Sequence, residues 1–220
     1  MRSRSWQAKH GDMGDRPGPS PTDERTERAR SEWDQAAAGY DRGAWIERFI
    51  IGDTRARLCG QARGRTLEVA IGTGLNLGLY PEDVDLTGID LSGGMLRIAS
   101  ARAASVRHTV NLAQGDGQRL PFDEATFDTI VCTLALCAVP DQTAVIAEMH
   151  RVLVPDGQLL LVDHIEYARV PMRWLERFRT GRRTPRRRPL DLVVERGFRI
   201  ERHDRLALGF VDRIVARRTA

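Results

Sequence analysis

Lysine is nearly missing from this chain. Lys9 is the only one among 34 basic residues, and all the others are arginine. With a net charge of only +4, this fits GC-rich coding better than a basic binding face. Aromatic residues are also scarce, at 6%. A nucleic-acid surface interleaves aromatic and basic side chains, so a nucleic-acid partner is not expected. There are three cysteines, Cys59, Cys132 and Cys137, with no CxxC among them and no histidine at metal-ligand spacing. No disulfide scaffold and no metal site are expected, and a reducing, cytoplasmic setting is. Long apolar runs are absent too. The longest, residues 130–139, is broken by Thr133, whereas a spanning helix needs roughly 20 apolar residues. No apolar stretch follows the charged N-terminus, as a secretory signal would require.

What is present is an ordinary globular composition, 41% hydrophobic and 29% charged over 220 residues, enough for one domain with a full core. Residues 1–25 carry Pro17, Pro19 and Pro21 and almost no apolar content, and are expected to form a mobile tail. The domain then covers residues 26–220. Its N-terminal helices (26–64) are expected at 27–38 and 44–58, with a turn at 39–43 between them. In the core (65–166), strands are expected at 66–71, 86–90, 109–112, 127–133 and 158–165. Helices at 76–79, 93–104 and 141–153 alternate with them. Val154-Pro155-Asp156-Gly157 ends the last of these with breaker residues. Strands apolar on both faces and separated by helices predict an α/β fold with a mostly parallel sheet. A helix at 189–196 and an antiparallel hairpin, 198–203 with 206–217, are expected to close the domain (190–220), Asp204 and Arg205 forming the turn.

The first strand leads into Glu68-Val69-Ala70-Ile71-Gly72-Thr73-Gly74-Leu75-Asn76. An acidic residue on a strand followed by Gly-x-Gly points to a nucleotide-type site at the strand's carboxyl end, where glycine lets the backbone approach a ligand. A dinucleotide fingerprint needs a third glycine three residues on. Leu77 stands there, which disfavours NAD. Asp90 closes the second strand, 18 residues after Gly72. A carboxylate there can accept from both ribose hydroxyls of an adenosine, or cap the next helix. Asp116, after the third strand, is placed to accept from an adenine amino group, or to form an Asp-Gly turn.

These segments resemble the class I S-adenosylmethionine-dependent methyltransferases. The resemblance lies in Glu68-x-x-x-Gly72-Thr73-Gly74, Thr87-Gly88-Ile89-Asp90-Leu91-Ser92 with Met95, Asp116 with Leu120-Pro121-Phe122, and Arg151-Val152-Leu153-Val154-Pro155-Asp156-Gly157. It implies a Rossmann-like fold with a seven-stranded, mostly parallel sheet ending in an antiparallel hairpin. It also implies S-adenosyl-L-methionine as the cofactor, held by Tyr40, Glu68, Ala70, Gly72, Gly74, Asn76, Asp90, Leu91, Met95, Asp116, Gly117 and Thr133. Ala70 stands where many members have glycine, so the loop must accept a methyl group there. The Tyr40-Asp41 pair is similar to the quinone and phospholipid methyltransferase branch. Residues 131–139 and Asp163-His164 are similar to the methyltransferase-like thiol methyltransferases.

The reaction so implied is direct displacement onto a small apolar acceptor, driven mainly by positioning. His164, with Asp163 beside it, is the candidate base, since imidazole suits proton transfer near neutral pH. A structural histidine is the alternative. Cys132 and Cys137 sit in apolar sequence, which favours inert thiols. Residues 167–189 are expected to cap the acceptor site. Nine arginines and one acid fall within 169–188, which reads as a solvated loop or as a cap meeting an anionic membrane surface. Phospholipid or quinone-precursor methylation is the alternative within the fold. A non-catalytic adenosyl- or RNA-binding module is the alternative outside enzymology.

Overall fold

The structure, a computed structural model, describes residues 21–43, 51–165 and 187–219. Helix α1 runs over Pro21–Tyr40, so residues 21–25, expected in the tail, are helical. Proline is tolerated at the start of a helix, where its missing N–H has no partner to lose. Asp23 and Glu24 in the first turn favour the positive end of the helix dipole. The second expected helix survives as α2, Thr54–Cys59, preceded by Gly52 at φ +59°. Its earlier part, 44–50, lies outside the described residues, as do 1–20 and all of the arginine-rich cap except 187–189.

Seven strands follow: β1 Arg65–Val69, β2 Asp85–Asp90, β3 Thr109–Gln114, β4 Phe127–Thr133, β5 Leu153–His164, β6 Phe198–Leu206 and β7 Val211–Arg218. Helices α3 Gly93–Ala103, α4 Gln142–Val152 and α5 Pro189–Glu195 connect them. The sheet order is β3-β2-β1-β4-β5-β7-β6. The first five strands are parallel, and β7 is antiparallel to both β5 and β6. Alternate residues feed the two faces. Leu159 and Leu161 join one buried cluster, with Ile146 and Met149 of α4. Leu160 and Val162 join the other, with Leu58 of α2. Burial on both faces is what a parallel sheet covered by helices requires.

Several expected boundaries move. The helix at 76–79 is a single 3-10 turn, Leu77–Leu79. Val154 to Gly157 does not separate helix from strand. It lies inside β5, where Asp156 takes φ +57° and the pairing with β4 slips between Phe127↔Leu153 and Thr129↔Gln158. The breaker residues therefore make a bulge in a strand already paired at Leu153. The hairpin turn lies at Ala207–Gly209, not at Asp204-Arg205. Asp204 stays in the ladder, where Arg213 donates to it at 2.8 Å across the strands.

The strand β1 stops at Val69 because Ala70 turns to φ +56°. That left-handed conformation costs an alanine about 1–2 kcal/mol. Replacing Ala70 by glycine relieves this but adds about 0.4–1 kcal/mol of unfolded-state entropy to lose. Ala70→Gly is therefore expected to hold or raise stability by up to about 1 kcal/mol. Urea denaturation checks this, and a clear loss would place the alanine methyl in essential packing.

Candidate active site

In the sheet order the chain reverses direction between β1 and β4, and open α/β sheets bind ligands at the carboxyl ends of the strands beside such a point. An open cleft lies there, enclosing about 750 Å³ out to solvent. Of the twelve cofactor candidates, nine line it: Tyr40, Ala70, Gly72, Asp90, Leu91, Met95, Asp116, Gly117 and Thr133. Glu68, Gly74 and Asn76 do not. Gly74 has another reason for being glycine: at φ +78° a Cβ would meet Leu77 Cδ1 at 2.6 Å and the α3 backbone at Ala99 Cα at 3.3 Å. A Cβ on Gly72 would meet nothing within 4 Å, and its φ of +59° is what calls for glycine.

Asp90 is 8% exposed. Its Oδ2 accepts from the Gly72 backbone N–H at 2.8 Å, and its Oδ1 from the Ser92 N–H at 2.9 Å. The carboxylate thus ties the glycine loop to the start of α3, and each oxygen keeps one lone pair for a further donor. The helix cap itself is Ser92, whose Oγ accepts from Met95 N–H at 3.1 Å. Burial raises the Asp90 pKa above the ordinary carboxylate range. Asp116 accepts from its neighbour, Gln118, through the backbone N–H at 2.8 Å and through Nε2 at 3.0 and 2.9 Å. This is the Asp-Gly turn, built facing the cleft.

Beneath the loop lies a buried polar network. Asn76 Nδ2 donates to Glu68 Oε1 at 2.6 Å and to Thr133 Oγ1 at 2.9 Å. Tyr80 donates its hydroxyl to Glu68 Oε2 at 2.9 Å. Arg55 Nη1 donates to Asn76 Oδ1 at 2.9 Å and Thr133 Oγ1 at 2.8 Å. With both lone pairs of Thr133 filled, only its hydrogen remains, so in the cleft wall this hydroxyl acts as a donor. Complete burial lifts the Glu68 pKa to about 7, against the hydrogen bonds from Asn76 and Tyr80. Glu68 is thus a support of the loop and of Thr133.

Helix α1 supplies a wall that sequence reasoning missed, through Ala29 and Trp33. It is pinned by Asp34 Oδ1, which accepts from Ser92 Oγ at 2.5 Å and Gly94 N–H at 2.8 Å. Asp41 follows it and accepts from Thr73 Oγ1 and Arg102 Nη2, both at 2.7 Å. Burial pushes the Asp41 pKa up, but these two partners outweigh it and hold it below the usual range. The helix is polar along most of its length, and only the spacing 29, 33, 37 marks its inner face. The other three tryptophans, Trp6, Trp45 and Trp174, lie outside the described residues. Occupancy of the cleft is expected to change tryptophan emission, and Trp33→Phe to diminish that change. An undiminished response in the variant would remove Trp33 from the wall.

His164 and Asp163 close β5 and do not line the cleft. They stand beside the loop 134–140, whose Leu134, Ala135, Ala138 and Val139 form its apolar side. His164 is about half exposed, and its Nδ1 lies 3.7 Å from Cys137 Sγ. Cys59 and Cys132 are buried, and burial raises both thiol pKa values, which makes them unreactive.

A seven-stranded sheet in this order, with two antiparallel strands at its end and a cleft at the reversal, is the class I methyltransferase fold. Residues 67–161 match the family model described as a methyltransferase domain. The chain is similar to a phosphatidylethanolamine N-methyltransferase of Cereibacter sphaeroides, 37% identical over 116 residues, covering 52% of this chain and 57% of that one. It is also similar to a demethylmenaquinone methyltransferase of Deinococcus radiodurans, 35% identical over 102 residues, covering 45% and 42%. The chain thus spans about half the length of the curated relatives it matches. Among solved structures, a SAM-dependent methyltransferase of Methanosarcina mazei shares the fold with a TM-score of 0.59 at 22% identity, over 70% of this chain and 92% of that one.

Proposed function

We propose that this protein is an S-adenosylmethionine-dependent methyltransferase acting on a small apolar acceptor. The observation that carries the reading is the cleft. A buried carboxylate with two unused lone pairs, Asp90, and a hydroxyl restricted to donating, Thr133, face one space beside the Gly72 loop. These groups suit S-adenosylmethionine, with Asp90 accepting from the ribose hydroxyls and Asp116 from the adenine amino group. When bound, it supplies an electrophilic methyl group on a sulfonium. The chain's own work is to hold the acceptor against that methyl and keep water away, and fixing two reactants together is worth roughly 7–11 kcal/mol. The apolar side at 134–139 selects an apolar acceptor. His164 lies behind that side and outside the cleft lining, so it can take a proton only from an acceptor that extends past residues 134–139; Asp163 accepts from its backbone N–H at 2.6 Å.

The similarity to enzymes named for phosphatidylethanolamine and demethylmenaquinone favours a second reading, an acceptor dissolved in a membrane. The arginines of 169–188 would then meet the anionic surface. No helix among the described residues is long and apolar enough to cross a membrane. The test is release of S-adenosylhomocysteine with thiol, phenol, amine and quinol acceptors, in solution and in phosphatidylethanolamine vesicles. Turnover with one class names the acceptor. Cofactor binding without turnover on any of them would favour the binding-module reading.

A further inference from the structure

We infer that Cys137, Asp163 and His164 form a site for a borderline-soft divalent cation, of which Zn²⁺ is the type. Spacing in the sequence argues against zinc because it weighs ligands close along the chain. Here Cys137 and His164 are 27 residues apart, and the fold brings the loop after β4 against the end of β5. One ligand atom from each of the three residues lies within 4.8 Å of the others. Cys137 Sγ is 3.7 Å from His164 Nδ1, and that nitrogen is 3.8 Å from Asp163 Oδ1. Tetrahedral ligands at zinc distances of about 2.0–2.3 Å stand roughly 3.3–3.6 Å apart, so small side-chain movements close the shell. Cys137 and His164 are both partly exposed and able to move.

The electrostatics of the sheet point the same way. Asp163 pairs in register with Asp212 of β7, and both side chains are fully buried. Asp212 has a cation: Arg188 donates to it at 2.8 and 3.0 Å, and His203 Nε2 lies at 2.7 Å. Asp163 accepts backbone N–H bonds from His164 at 2.6 Å and Cys137 at 3.3 Å, and among the described residues no arginine lies within ion-pair distance, the one group placed to bring it a positive charge being the His164 ring, with Nδ1 at 3.8 Å. A buried carboxylate is costly unless a cation or a proton joins it. Thiolate, imidazole and carboxylate are the three donor types zinc takes, and three protein ligands with an open fourth position mark a site that exchanges ligands. The half-exposed face of His164 leaves that fourth position open. A cation on Nδ1 excludes a proton there, so the loaded state is distinct from the one in which His164 takes a proton.

The experiment uses the full chain, stripped with a chelator and titrated with Zn²⁺ against a chromophoric competitor and with Co²⁺ as a spectroscopic reporter. One ion per chain is expected, with a sulfur-to-Co²⁺ charge-transfer band. Cys137→Ser should abolish the band. Both Cys137→Ser and His164→Ala should weaken Zn²⁺ at least about tenfold, and Cys59→Ser should change neither. Cofactor binding by each variant checks that it folds. The readout is independent of methyl transfer, so it stands apart from the proposed activity. No binding at micromolar Zn²⁺, or equal binding by Cys137→Ser, would overturn the site.

Discussion

Asp90→Ala is expected to weaken S-adenosylmethionine binding by about 100-fold. Each oxygen of Asp90 keeps one lone pair after accepting from Gly72 and Ser92. A hydrogen bond to a charged group is worth about 1.5–3 kcal/mol, and two at the lower figure give about 3 kcal/mol, or two powers of ten. The same substitution strands two backbone N–H groups, so the variant is also expected to lose about 1–3 kcal/mol of stability. The two effects separate on the ligand side. The wild type should discriminate against 2′- and 3′-deoxy analogues of S-adenosylhomocysteine, and the variant should not. Calorimetry measures all three ligands on both proteins. Unchanged affinity in a folded Asp90→Ala protein would remove Asp90 from the ribose site.

The second large effect is on stability. Glu68 has a folded-state pKa of about 7, against about 4.3 in an unfolded chain. Between these values the folded protein keeps a proton that the unfolded chain has lost. Its contribution is therefore complete below about pH 4.3 and is lost as pH rises through 7. At about 1.4 kcal/mol per pH unit, the loss over that interval comes to about 4 kcal/mol. Gln cannot ionise, and it can still accept from Asn76 and donate to the Tyr80 oxygen. Glu68→Gln should thus match the wild type near pH 4 and exceed it by about 4 kcal/mol above pH 7.5. Asp163, also raised by burial, is present in both proteins, whereas Asp90 is coupled to Glu68 by charge, so part of its interaction is included in the difference. Urea denaturation across pH 4–8 gives the comparison. A pH-independent difference would mean that Glu68 does not titrate in this window.

Prediction along the chain worked best where one short segment carries both the pattern and the reason for it. β4 reads as a strand because Phe127 and the run Ile130-Val131-Cys132 are apolar and β-prone, and all of it except Asp128 is buried. Asp90 was legible as a residue of the cleft wall because strand end and loop spacing agree within 18 residues. The order of motifs along the chain was enough to name the fold, since each motif is itself local.

Other features depended on partners far away in sequence. Residues 154–157 carry turn chemistry, yet they continue β5, because pairing with β4 on one side and β7 on the other outweighs local preference. Polar α1 shows only a faint apolar stripe, and its place over the cleft is set by Asp34 reaching Ser92 and Asp41 reaching Arg102. Glu68 reads as a ligand from its motif, but the fold buries it among Asn76, Tyr80 and Thr133, and burial rather than sequence sets its pKa. The sequence by itself determined the fold class, because alternation of strand and helix is a local property of the chain, and it named most of the strand-end residues that line the cleft. The tertiary structure alone decided the raised pKa of Glu68, the wall made by Trp33, and the meeting of Cys137 with His164, because burial and approach distance exist only once distant segments have packed.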